Sequence, residues 1–256
     1  MLREFKAASL ISIVTAVLNR CDSVGRAIES LQAQSYVDFE HVVQDGGSSD
    51  GTLDVIRAQA DHRTRLESEP DDGIYDALNR GIGRSTGGVI GLLHSDDTFA
   101  SAEVLEKVLA AFKDPAVDGV YGDLVYVVGA GEGRVVRHWR AGRFDPARLR
   151  RGWMPPHPTL FLKREVYERW GLYDTRYRIA ADYDAILRYL ARGRIQLSYI
   201  PEVLVRMRVG GESNRSLGRI VQKSREDYRA LKSNQVGGIG ALAWKNLSKV
   251  GQFLLR

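Results

Sequence analysis

Two aspartates stand side by side in "LLHSDDT" (92–98), directly after an apolar run. Adjacent carboxylates repel, so Asp96 and Asp97 gain either from a cation between them or from water around them. A hard divalent ion such as Mg²⁺ takes oxygen ligands, keeps several waters and bridges phosphate oxygens to one or two carboxylates. The same pair also fits a helix start, with Asp97 as the cap of a helix beginning near Ser101. A third carboxylate, Asp45, opens "DGGSSDGT" (45–52), where glycines let a ligand approach the backbone. There it accepts hydrogen bonds from a base or ribose, or it shapes a turn ahead of a cap at Asp50 or Thr52. Asp182 heads "ADYDAILRYLARG" (181–193), where a carboxylate can take a proton or simply complement the helix dipole. Asp184, two residues on, faces elsewhere on a helix and is not its partner. His157, in "PPHPT", suits a neutral imidazole that orients a phosphate or meets a metal, or a ring stacked between prolines.

These residues need a frame to bring them together. The β-rich run over 10–18 reads as a buried strand, followed by a helix from Asp22 or Ser23 to about 34. Strands are expected over 39–44, 65–68, 89–93 and 117–121, alternating with helices over 52–59, from Asp72, and over 101–112. The helix opened by Asp72 carries Ile74, Leu78 and Ile82 on one face. Strand–helix alternation predicts an α/β fold with a mostly parallel sheet and helices on both faces. Beyond residue 121 a hairpin is expected around Gly129, Gly131 and Gly133, then a strand and helix after Pro155, Pro156 and Pro158. The helix over 181–193 and a closing strand pair in "LSYIPEVLVRMRV" follow. In open parallel sheets ligands bind beyond the carboxyl ends of the strands. The stretch Thr15 to Asn19, Asp45, and Asp96 with Asp97 all fall at such ends, on one rim.

Composition narrows the function classes. One cysteine, Cys21, excludes an internal disulfide and reads as a small buried apolar residue. The apolar run near the N-terminus lacks a small-residue cleavage site, and no run approaches the ~20 residues of a membrane span, so a cytoplasmic protein is expected. Net charge is +5, but residues 201–256 hold eleven Lys/Arg against four Asp/Glu, while the first 200 hold 26 against 28. That asymmetry disfavours nucleic-acid binding by the main body and gives the tail an anionic surface as partner, or a solvated basic face. In "GALAWKNLSKVGQFLLR", Ala243, Trp244, Leu247, Val250, Phe253 and Leu254 recur at helical spacing, with Lys245, Lys249, Gln252 and Arg256 opposite. This pattern fits a helix lying on a membrane, or one packed on the protein's own core or a partner chain. The stretch "GIGRSTGG" lacks dinucleotide-fingerprint spacing, and no phosphate-loop lysine motif is present.

Six stretches in order, "SIVTAVLNR", "VVQDGGSSDGT", "SEPDDGIYDALNRGIGRSTGGVIGLLHSDD", "YGDLVYV", "HPTLFLKREVYERWGLYD" and "IAADYDAILRYLARG", resemble the glycosyltransferase family 2 enzymes, which have the GT-A nucleotide-sugar fold. The "EPDDGIYDALN" form is similar to the branch that builds bacterial exopolysaccharide and lipopolysaccharide. The resemblance implies an inverting, metal-dependent transferase that uses a nucleoside-diphosphate sugar, UDP first, and a saccharide or lipid-linked acceptor. It implies donor contacts at Thr15, Val17, Asn19, Asp45, Asp72, Gly73, Asp96 and His157, a Mg²⁺ or Mn²⁺ on Asp97, and Asp182 as base. The family's glutamate before that base is replaced by Ala181. The expected layout is a GT-A domain over 1–210 and a basic helical tail over 211–256, with oligomerisation open. His94 reads as structural. Trp153 fits an acceptor pocket or the core, and the loop after Arg206 and Arg208 fits a diphosphate cover or ordinary surface. Two rivals are a sugar nucleotidyltransferase, which would want a basic glycine-rich signature after the first strand, and a non-catalytic glycan-binding scaffold. The joint presence of Asp45, Asp97 and Asp182 argues against the latter.

Overall fold

The computed structural model describes residues 9–129, 133–209 and 217–250, with side chains at all of these except 217 and 246–250. Gly131, residues 210–216, and Gln252, Phe253, Leu254 and Arg256 lie outside the described residues. The parallel half of the sheet is built around β1 (Ile11–Val17), buried along its whole length as a β-branched apolar run between helix layers requires. On one side it pairs in parallel with β2 (Phe39–Asp45), which pairs with β3 (Thr64–Ser68). On the other it pairs in parallel with β4 (Val89–Leu92). The crossovers are α1 (Val24–Gln32), α2 (Thr52–Gln59) and α3 (Ile74–Arg84), so this half follows the expected alternation.

The second half is mixed. It contains β5 (Thr98–Phe99), α4 (Val104–Ala111), β6 (Gly119–Val128), β7 (Arg134–Trp139), β8 (Phe161–Lys163) and α5 (Arg164–Trp170). Then come α6 (Ala181–Leu187), which runs on into a π-helical turn over Arg188–Arg192, and β9 (Leu197–Arg208). Two C-terminal helices complete the chain, α7 (Leu217–Ser233) and α8 (Ile239–Val250). The nine-stranded sheet is ordered β3-β2-β1-β4-β8-β6-β9-β5, with β7 hairpinned onto β6. Short β8 runs antiparallel to both β4 and β6, so β6 recovers the direction of the parallel half.

Several expectations change. The closing strand pair is one 12-residue strand, β9, parallel to β6. Its register jumps from Gly122↔Ile200 to Asp123↔Val203, so Pro201, which has no N–H to give the ladder, sits in the slip. Cys21 is exposed, not buried, because its amide is held by Asp50 Oδ2 at 3.2 Å outside the apolar layers. Asp97 does not cap a helix. The residue in the cap position of α4 is Glu103, and the segment after Asp97 is held extended by pairing of Thr98 and Phe99 with β9. The helix after Asp72 begins at Ile74, with Gly73 in its cap position.

The two C-terminal helices belong to the same core as the body. Ala230, Leu231, Val236 and Ala241 pack in one buried cluster with Ala181, Tyr183 and Ile186. The described part of α8 presents the opposite face from the one its lysines imply. Lys245 is 2% exposed and its Nζ lies 2.8 Å from Asp227 Oδ1 of α7, while Trp244 is 54% exposed and Ile239 75%. A helical wheel assigns lysine to water, but Asp227 provides a buried counter-charge that reverses the assignment.

Candidate functional site

Parallel pairing sets Val17 beside Asp45, Asp45 beside Ser68, and the end of β4 next to them, so the expected rim exists. Its outer part is one hydrogen-bonded unit. The Asp45 carboxylate is fully buried and accepts from Gly47 N at 3.0 Å, Ser48 N at 2.9 Å, Ser48 Oγ at 2.5 Å and Ser68 Oγ at 2.7 Å. Three of these donors converge on Oδ2 and one on Oδ1, so Asp45 shapes this loop from inside. Asn19, at φ 52°, clips onto the same loop: its N–H donates to Ser48 Oγ at 2.8 Å and its Oδ1 accepts from Ser49 N at 2.9 Å. Thr15 lies one layer below. Its hydroxyl donates to Leu93 O at 2.8 Å and sits 3.0 Å from His41 Nε2, so its side chain ties β1 to the rim and to β2. Val17, 4% exposed, packs with Val24, Ile28, Val43 and Ile56.

The loop before α3 closes against this unit. A Cβ on Gly46 would overlap the Asp71 carboxylate, so glycine is what permits the two loops to touch. Asp71 Oδ1 also accepts from Gly73 N at 2.9 Å, and Gly73 adopts φ 112°, a conformation other residues rarely take. Asp72 is exposed; its carbonyl accepts from Arg178 Nη1 at 3.3 Å, which links the loop to the turn ahead of α6.

Deeper in, the second group gathers around Asp182. Tyr75 of α3 places its hydroxyl 2.7 Å from Ile179 O and 3.2 Å from Asp182 Oδ1, with one proton for both acceptors. Burial, and then the Asp182 charge, push the Tyr75 phenol well above its ordinary range, so it stays protonated. Tyr75 packs on Tyr173, with ring centroids 5.8 Å apart, and Tyr173 Oη lies 2.8 Å from His157 Nε2. The His157 ring is 6.0 Å from that of His94. Burial pulls the His157 imidazole down to about 4, against the opposing pull of Asp182. Burial also lowers His94, while Asp96 and Asp182 act to raise it. Both rings are therefore neutral at pH 7, and Asp96, Asp182 and the two imidazoles share one electrostatic neighbourhood. Among the described residues Asp182 forms no ion pair.

Asp97 is the anomaly of the rim. It is 1% exposed, its Oδ1 accepts from Arg208 N at 3.3 Å, and its Oδ2 has no hydrogen-bond partner among the described residues. Burial first, and Asp96 second, raise its carboxyl well above the usual range. An orphaned buried carboxylate oxygen fits a cation that would satisfy it. No group of three or more His, Cys, Asp or Glu is placed to cage a metal among the described residues. The donor set therefore suits an ion that completes its shell with water and phosphate oxygens.

The site thus brings together Asp96, Asp97, His157 and Asp182 in one group, and Thr15, Val17, Asn19, Asp45, Asp72 and Gly73 in the loops that frame it. Sequence reasoning missed Tyr75, Tyr173 and Asp71, all inside stretches quoted above for their family likeness, and read His94 as structural. Trp153 packs between Tyr121 and Phe144, with its indole N–H donating to Ala141 O at 2.9 Å.

Fold and rim together define a nucleotide-sugar transferase architecture, and the comparisons agree. Residues 12–171 match the family model "Glycosyl transferase family 2". The PGL/p-HBAD biosynthesis glycosyltransferase of Mycobacterium tuberculosis strain H37Rv is 32% identical over 214 residues, 81% of this chain and 80% of that protein. An uncharacterized glycosyltransferase of the same strain is 32% identical over 187 residues, 71% of this chain and 69% of that protein. The chain belongs to glycosyl transferase family 2. Solved structures of similar fold include a mannosyltransferase from Pyrobaculum calidifontis in complex with GDP-Man and Mn²⁺, with TM-score 0.66 and 16% identity, covering 96% of this chain and 75% of that one. Another is S. aureus TarS 1-349 in complex with UDP-GlcNAc, with TM-score 0.65 and 15% identity, covering 95% of this chain and 71% of that one.

Proposed function

We propose that this glycosyltransferase moves a sugar from a nucleoside-diphosphate sugar, UDP first, to a hydroxyl of a saccharide acceptor, with inversion, in bacterial surface-glycan assembly. The observation that carries the reading is Asp182, which has no ion-pair partner among the described residues and lies at the inner end of a rim shared with Asp96, His94 and His157. The Asp182 carboxylate takes the proton of the acceptor hydroxyl. The freed oxygen lone pair forms a bond to the anomeric carbon. The bond from that carbon to the diphosphate oxygen breaks on the opposite face, and its electrons leave with the diphosphate. Tyr75, whose hydroxyl lies 3.2 Å from Asp182 Oδ1, helps keep the carboxylate aimed.

Asp97, with Asp96 beside it, would hold a divalent cation, which when bound supplies Lewis-acid neutralisation of the leaving diphosphate. The loops organised by Asp45, Asn19, Asp72 and Gly73 shape the nucleotide's seat, and neutral His157 and His94 floor the site. Support for a nucleotide sugar comes from the fold neighbours solved with GDP-Man and with UDP-GlcNAc, and support for a metal from the Mn²⁺ of the first. Support for a glycoconjugate acceptor comes from the mycobacterial relatives named for PGL/p-HBAD biosynthesis. A lipid-linked acceptor on the inner membrane face suits a cytoplasmic enzyme with a basic tail. No helix among the described residues is long and apolar enough to cross a membrane. Exposed Ile220, Val221, Ile239 and Trp244 give the two C-terminal helices an apolar surface for peripheral contact.

The test is Asp182→Asn assayed with a nucleotide sugar and a hydroxyl acceptor. Donor affinity should be unchanged and turnover should fall about 10²–10⁴-fold, the usual worth of a general base. Normal turnover in this variant would refute the assignment, and retained configuration in the product would refute the single displacement.

A further inference from the structure

We propose that Glu226 of α7 is a positioning residue for the transfer step, fixing the turn that delivers Asp182. The inference rests on the reading of Asp182 as base. Its ground is a set of contacts from the C-terminal helices that converge on residues 179–184. Glu226 Oε2 accepts from the backbone N–H of Ile179 at 2.8 Å and of Ala180 at 3.0 Å. Its other oxygen accepts from Gln222 Nε2 at 2.9 Å, one turn back on α7, which fixes the rotamer. Ala180 stands at the cap position of α6 and has no side-chain acceptor of its own. A carboxylate from α7 therefore orders the entry to this helix, and its charge also suits a helix N-terminus.

Ile179 is held from both sides. Its N–H goes to Glu226, and its carbonyl takes the Tyr75 hydroxyl at 2.7 Å, the same hydroxyl that reaches Asp182. On the opposite face of α6, buried Asp184 accepts from Asn234 Nδ2 at 2.8 Å and Ser233 Oγ at 3.3 Å, and pairs with Arg188 at 3.3 Å. Between these two grips, Lys245 of α8 sets its Nζ 3.1 Å from the centroid of the Tyr183 ring. Contacts at both ends of the first turn block translation of α6 and rotation about its axis. Asp182 projects from the segment they fix, so its direction is set by residues 226–245 as much as by the rim.

A reacting carboxylate displaced by about 1 Å loses about 100-fold in rate. Glu226→Ala should lower kcat about 10–100-fold, leave donor KM and UDP affinity within two-fold, and speed amide exchange at Ile179 and Ala180. Glu226→Gln, which keeps one acceptor oxygen in the same shape, should recover part of kcat. The double variant Asp182→Asn/Glu226→Ala should be no slower than Asp182→Asn alone, because positioning has no value without the base. A wild-type kcat for Glu226→Ala overturns the proposal. So does a parallel loss of kcat and donor KM that Glu226→Gln does not mend, or a double variant slower than Asp182→Asn. If Asp182→Asn turns over normally, the base assignment falls instead, and faster exchange at Ile179 and Ala180 still reports the Glu226 contact separately.

Discussion

Lys245→Met removes one half of an ion pair that is shut away from water on both sides. The side chains of Lys245 and Asp227 are each 3% exposed, with 2.8 Å between Nζ and Oδ1. Breaking a buried pair by deleting one partner leaves the other charge desolvated and uncompensated, which costs about 3–5 kcal/mol. Methionine fills most of the volume, so little of the loss comes from a cavity. For a chain of this size about 1 kcal/mol moves Tm by about 2–4 °C, so the expected drop is about 6–20 °C. The assay is thermal unfolding followed by circular dichroism near pH 7.5, repeated in urea. The control is Asp227→Leu/Lys245→Met, which replaces both charges by apolar groups and should regain most of the stability. A shift below about 2 °C in the single variant, or a double variant as damaged as the single, refutes the account of α8 as docked through this pair.

Three further outcomes follow from the same geometry. Burial, opposed by Asp61, lowers His41 to about 4 from its ordinary 6.5. The unfolded chain thus binds a proton the folded one refuses, and about 3 kcal/mol of stability present above pH 6.5 is lost as pH falls toward 4; His41→Gln should flatten that slope in urea titrations at pH 7 and 5, and an unchanged slope would exclude His41 as its source. Asp97→Asn removes a buried carboxylate with an orphaned oxygen, so the ligand-free protein should be at least as stable as the parent while the thermal shift produced by Mn²⁺ with UDP disappears; a retained shift would move the cation elsewhere. Trp244→Glu should weaken sedimentation with anionic phosphatidylglycerol vesicles severalfold while leaving turnover on a soluble acceptor unchanged, and unaltered sedimentation would remove that face from any membrane contact.

The parallel half of the fold was legible because β1 is a nearly continuous β-branched run, β2 and β4 carry short apolar runs, and the crossover helices alternate with them. Residues 10–18 and 39–44 became β1 and β2 almost to the residue. The later half was less legible. The pattern of "LSYIPEVLVRMRV" reads as a strand pair, whereas the register slip against Gly122 and Asp123 lets one strand continue past Pro201. Lys245 was placed on the wrong face because periodicity cannot see Asp227. In the site, the aspartates at strand ends were visible from local pattern alone. Tyr75 and Glu226 were not, since one reaches Asp182 across 107 residues of sequence and the other reaches Ile179 across 47. Such contacts are set by how elements dock, and a tyrosine or glutamate inside an amphipathic helix carries no local mark of them.

The grip of residues 226–245 on α6 also has a consequence for biosynthesis. Chains fold from the N-terminus as they are made, at about 5–20 residues per second. The strands β1, β2 and β4 that form the rim are all made before Glu226, Asn234 and Lys245. A nascent polypeptide therefore carries the helix bearing Asp182 before the residues that clamp it have been made. On the proposed reading of Asp182, its alignment for transfer is set only once Glu226, Asn234 and Lys245 have been made.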